Sequence, residues 1–106
     1  MDKLIFILIF VFISCSNDQT GHNSAAAVSA STPDGSALFR KHCVVCHGAD
    51  GTLGLNGAKD LTQSALPLEE RINIITNGKK LMTPFGTILS QDEIKAVAEY
   101  TLTLKK

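Results

Sequence analysis

No tryptophan is present in these 106 residues, and tyrosine occurs once. Of the five phenylalanines, Phe6, Phe10 and Phe12 fall within the first dozen residues. Phe39, Phe85 and Tyr100 are then the aromatic stock of a core. Net charge is lacking as well, since ten Lys and Arg balance ten Asp and Glu. That balance excludes a broad electrostatic surface for nucleic acid or for an anionic membrane. No apolar run approaches the ~20 residues of a membrane-spanning helix. The length suits one domain and not two.

The longest apolar run, Leu4 to Ile13, is too short to span a bilayer. With Lys3 before it, it suits the central region of a secretory signal. It ends in Phe12-Ile13-Ser14-Cys15, which resembles a bacterial lipoprotein signal. There a small residue precedes the cysteine that becomes the lipidated N-terminus. The expected organisation is a signal peptide over 1–14, a lipidated Cys15 with a flexible linker over 15–32, and a folded domain over 33–106. An ordinary signal, or an uncleaved anchor with an incidental Cys15, is the alternative. Ser16 to Thr32 is polar and small, without apolar periodicity, and cannot offset the cost of ordering. His22 lies there as a solvated residue.

A domain over 33–106 has a marginal core and needs a staple. A disulfide between Cys43 and Cys46 would close a tiny loop and constrain little of the chain. The helical signals are clear. Thr32-Pro33-Asp34 supplies a cap, a first-turn proline and an acid, opening a helix over about 34–46. Gly48, Gly51, Gly54 and Gly57 break the pattern into loops. Pro67 opens a second helix, with Ile72 and Ile75 on one face, and Asn77-Gly78 closes it with a left-handed cap. Ser90 to Glu93 reads as a capping box before a last helix with Ile94, Val97, Ala98, Thr101 and Leu104 in phase. Nothing reads as a strand. The fold class expected is all-α, three to four helices around one central group.

Cys43-Val44-Val45-Cys46-His47 says what that group is. Thiols three residues apart on a helical turn sit about 5–6 Å apart and can add across the two vinyl groups of one porphyrin. The next residue, His47, then falls under the iron. This is the signature of covalent haem c attachment. A redox dithiol would want a βαβ context, which is missing. A zinc site would want a fourth ligand, and His42, beside Cys43, points elsewhere. Past the signal, the chain holds one methionine, Met82, in the loop "NGKKLMTPFG". A methionine between Gly78 and Pro84 is placed to be the sixth ligand, since His and Met together are the usual axial pair of cytochromes c.

From these residues the domain resembles a small class I cytochrome c of bacterial type. "CHGADG", "LMTPFG" and "LSQDEIKAVAEYTLTL" each resemble a family segment. Gly35, Phe39 and Tyr100 match the small and aromatic residues by which the family packs its terminal helices. The family's Gly-Pro-x-Leu after the haem motif is absent. The carbonyl that orients His47 is therefore open among Gly57, Ala58 and Lys59. Leu61 and Leu66 are candidates to line the haem.

The resemblance implies an electron carrier rather than an enzyme, with redox-protein donor and acceptor and no nucleic acid. With the lipoprotein signal, it implies an exported protein on the periplasmic or cell-envelope side, held to a membrane through Cys15. Lys79 and Lys80 are either a docking patch or a solvated pair. The alternative function is a haem domain that binds small ligands or serves an enzyme, its sixth ligand being displaceable.

Overall fold

The computed structural model describes residues 31–106. The expected signal, Cys15 and the linker through Ala30, with His22, lie outside the described residues. The described chain forms helices α1 (Gly35–His42), α2 (Val44–His47), α3 (Leu68–Asn77) and α4 (Gln91–Thr103), with 3₁₀ turns at Leu55–Gly57 and Leu61–Gln63. Among the described residues the β-type pairing is an isolated bridge between Lys79 and Met82. The all-α expectation therefore holds among the described residues.

The first helix differs from its expected form at both ends. Its cap is Asp34 rather than Thr32. The Asp34 carboxylate accepts from the N–H groups of Ser36 at 2.9 Å and Ala37 at 3.1 Å. The run expected as one helix over 34–46 is two, α1 and α2, meeting at Cys43 with φ −111° and ψ −28°. That φ departs well beyond helical scatter, yet the hydrogen bonds carry across. Cys43 N–H reaches Phe39 O, and His47 N–H reaches Cys43 O, both at 2.9 Å. The kink turns the haem-motif residues without breaking the ladder.

Helix α4 begins on the expected capping box. Ser90 Oγ accepts from Glu93 N–H at 3.2 Å, and Glu93 Oε2 accepts from Ser90 N–H at 2.8 Å. Its inner face buries Ile94, Val97, Ala98 and Thr101, the three-and-four spacing seen in the sequence. Against this face lies α1. A Cβ at Gly35 would stand 2.1 Å from the carbonyl oxygen of Ala96, so only glycine permits the approach. Further along, the Phe39 and Tyr100 rings pack at 5.2 Å between centroids, tilted by 52°.

The buried apolar core consists of Phe39, Ile75, Leu89, Ile94, Val97 and Ala98. Six such side chains are few for a domain of this size. One buried cation accompanies them. Arg71 on α3 is 5% exposed and faces no carboxylate among the described residues. Its guanidinium donates to Leu66 O at 2.9 Å, Ser64 O at 2.9 Å and Thr101 Oγ1 at 3.0 Å. It thereby ties the segment ahead of α3 to α4.

Candidate haem site

Cys43 stands at the kink between α1 and α2, partly buried against the core. Burial pushes its thiol up to about 11, because the anion would lose its hydration there. The sulfur thus keeps its proton at neutral pH. Cys46 lies a turn later, its N–H on Cys43 O at 3.2 Å. Both thiols are free, with no disulfide between them.

His47 ends α2, and its imidazole is fixed. Nδ1–H donates to the carbonyl of Lys59 at 3.0 Å. Of the carbonyls open from the sequence, Lys59 is the one used. With the proton on Nδ1, the lone pair is on Nε2, the arrangement found in metal-binding histidines. Lys59 is itself held by its neighbours. Asp60 caps the following turn, accepting from Thr62 N–H at 2.8 Å and Thr62 Oγ1 at 2.6 Å. Leu61 N–H donates to Gly51 O at 2.9 Å, and Lys106 N–H to Thr62 O at 3.3 Å. Leu53 N–H closes on His47 O at 2.9 Å, folding the glycine-rich loop back onto the helix end.

Met82 sits in the loop after α3, partly buried against the same core as Cys43. Gly78 ends α3 with φ 72° and ψ 169°. This is not the left-handed cap expected from Asn77-Gly78 but an extended conformation of positive φ, open essentially to glycine alone. The reason is a close approach: a Cβ on Gly78 would lie 2.5 Å from Met82 O and 3.0 Å from Pro84 N. Phe85 N–H on Ile75 O at 2.9 Å and Gly86 N–H on Thr76 O at 3.0 Å dock the far side of the loop on α3. The His42 ring meets Phe85 edge-on at 5.8 Å, so His42 faces the loop after Met82.

The structure thus brings Cys43 and Met82 to one core and fixes His47 to Lys59. Leu61 packs on that core, whereas Leu66 is exposed and contributes its carbonyl to Arg71. Lys79 and Lys80 are exposed. Among the described residues no three His, Cys, Asp or Glu side chains gather in a metal-binding cluster. A shallow depression of about 370 Å³ lies between the start of α1 and α4, lined by Asp34, Gly35, Glu99 and Tyr100, among others. It shares no residue with the haem motif or with Met82.

Two thiols a turn apart, an imidazole with its Nδ1 engaged and a thioether suit haem rather than a hydrated cation. Sequence reasoning missed Arg71. Its signal was the spacing of four to Ile75, which places both on the inner face of α3.

The chain is similar to known c-type cytochromes in sequence and in fold. The family model described as cytochrome C oxidase, cbb3-type, subunit III matches residues 30–100. Cytochrome c6 of Leptolyngbya boryana is 38% identical over 74 residues, 64% of this chain and 86% of that protein. Cytochrome c6 of Rippkaea orientalis is 30% identical over 96% of this chain and 93% of its own length. Among solved structures, the KustC0563 c-type cytochrome superposes with a TM-score of 0.62 and 32% identity, covering 69% of this chain and 99% of that one. Cytochrome c6C from Synechococcus sp. PCC 7002 gives a TM-score of 0.57 and 33% identity, over 65% of this chain and 90% of that one.

Proposed function

The chain belongs to the cytochrome c family as a small class I c-type cytochrome that carries electrons on covalently bound haem c, and from that premise we propose how its own residues do so. Cys43 and Cys46 hold the haem, His47 and Met82 ligate its iron, and Cys15 tethers the whole to a membrane. The haem supplies one-electron chemistry between ferric and ferrous states. The Cys43 and Cys46 thiols, one helical turn apart, would hold the haem through thioether links to its two vinyl groups.

The observation that carries the reading is the His47 Nδ1–H bond to Lys59 O. It presents Nε2 to the iron in one tautomer and one orientation, and a fixed ligand keeps reorganisation on electron transfer small. Met82 completes the pair as a soft, neutral ligand that favours the ferrous state and raises the potential. With His47 and Met82 both committed to the iron, no position would be left for a substrate, which suits exchange of electrons with a redox donor and acceptor.

Export and anchoring rest on Leu4–Ile13 followed by Ser14-Cys15. A tether over 15–32 would hold the domain near membrane partners on the cell-envelope side at raised effective concentration. Extraction with acidified acetone tests the attachment, and the colour is expected to stay with the polypeptide. Haem passing into the solvent would refute it. The mature mass should equal the chain from Cys15 plus haem and acyl groups, and Cys15→Ser should release the protein from membranes. A Cys15→Ser protein still held there would refute the anchor.

A further inference from the structure

Lys59 lends its carbonyl to His47 from a segment with few backbone ties. Between Lys59 and Leu66, the main-chain bonds that reach other parts of the described chain are Leu61 N–H on Gly51 O at 2.9 Å and Lys106 N–H on Thr62 O at 3.3 Å. Gly51 belongs to the loop that leaves His47 and is folded back by Leu53 N–H on His47 O. That tie therefore moves with His47 and does not fix it against the rest of the fold.

Arg71 supplies the missing tie. Its guanidinium, buried on the inner face of α3, donates through Nη2 to Ser64 O and through Nε to Leu66 O, both at 2.9 Å. Nη1 turns instead to Thr101 Oγ1 on α4, at 3.0 Å. From Ser64 back to Lys59 the chain is short and stiff. Asp60 caps the turn over Leu61–Gln63 through the Thr62 amide, and Ser64 N–H closes it on Leu61 O at 3.4 Å. One turn beyond Arg71, Ile75 O and Thr76 O hold the base of the Met82 loop. The same helix thus fastens the Met82 loop and the segment that faces His47.

We propose that Arg71 is a positioning residue for the proximal ligand: by holding the Ser64 and Leu66 carbonyls to α3, it sets where Lys59 O stands, and so how firmly that oxygen engages His47 Nδ1–H. The proposal rests on the reading of His47 as that ligand. An imidazole whose Nδ1–H is well engaged is the more basic donor. It favours ferric iron and holds the potential down, so Arg71 acts on the potential through geometry rather than through its charge.

Two readings on the holoprotein test this: the reduction potential, and solvent exchange of the His47 Nδ1 proton in the reduced state. Arg71→Lys keeps the charge but gives up the planar fork. It should raise the potential and speed the exchange roughly 3- to 10-fold, the factor that one ordinary hydrogen bond governs. Thr101→Val removes the bond to α4 and leaves both carbonyl bonds. It should cost stability while exchange and potential stay parental. Arg71→Met buries no unpaired charge and guards against a lysine variant that does not fold; its exchange should quicken as much. Parental exchange in a folded Arg71 variant would overturn the proposal. So would an Arg71→Lys potential that is unchanged or lower. Thr101→Val moving both readings as far as Arg71→Lys would overturn it too, because general loosening would then be at work. If the reduced parent shows no haem-shifted His47 ring protons, the ligand reading itself fails, and the proposal falls with it.

Discussion

Replacing Gly35 with alanine adds one methyl group at the crossing of α1 and α4. The new carbon would stand 2.1 Å from Ala96 O, 2.6 Å from Ala96 C and 3.1 Å from Tyr100 Cβ. Two of these are backbone atoms in a hydrogen-bonded helix and cannot swing aside. To reach an ordinary contact, the helices must part by more than about 1 Å. That loosens Phe39, which is fully buried, from Tyr100. Overpacking of this kind costs about 1–3 kcal/mol, and separation of the helix pair adds to it. Gly→Ala recovers a few tenths through helix propensity at this first-turn position. The expected net loss is about 2–4 kcal/mol, which lowers Tm by about 10–25 °C in a domain of this size. Denaturant titration of the oxidised and reduced holoprotein measures it. Gly57→Ala is the control, with φ 77° but nothing within 4 Å of the added carbon, and should cost about 1 kcal/mol. A Gly35→Ala loss below about 0.5 kcal/mol, or one smaller than that of Gly57→Ala, would refute the close approach as the reason for glycine.

Gly78→Ala meets both penalties at once, positive φ and a 2.5 Å approach to Met82 O. It should displace the Met82 loop while leaving α1 and α4 packed, read as loss of the sulfur-to-iron absorption with near-parental helical circular dichroism. Acid stability reports on Asp60 and Asp50. The Thr62 hydroxyl and amide hold the Asp60 carboxyl below the usual carboxylate range, and those of Thr52 do so for Asp50. A pKa lowered by folding gives stability that is present above the unfolded value and lost as pH falls through the folded one. Unfolding should therefore become easier below about pH 4, and Asp60→Asn should flatten that slope in acid titrations followed by circular dichroism.

What was legible in the sequence was local. The Ser90–Glu93 box is written in four consecutive residues, and the inner face of α4 in its spacing. The haem motif needs only five residues in a row. The kink at Cys43 was not legible, because hydrophobic periodicity is blind to a single φ of −111°. The cap was read as Thr32 and the acid at Asp34 as a first-turn charge, whereas the Asp34 carboxylate itself reaches the N–H groups of Ser36 and Ala37. The partner of His47 is a backbone carbonyl, which leaves no mark in side-chain identity. Arg71 was hidden by its charge, since a buried guanidinium satisfied by Ser64 O, Leu66 O and Thr101 depends on segments distant in sequence. Gly78 was placed at the helix end, but its conformation follows from Met82 folding back against it. Tertiary contact decides such a position, and local preference does not.

The central claim is that one haem, held by Cys43 and Cys46, has its iron between His47 and Met82 and serves electron transfer. The most direct measurement is the far-red sulfur-to-iron absorption of the oxidised protein, recorded with the reduction potential in the parent and in Met82→Ala. The account predicts the band in the parent at neutral pH, its loss in Met82→Ala, and a lowered potential in that variant. Absence of the band from the parent, with spectrum and potential unchanged by Met82→Ala, would contradict it.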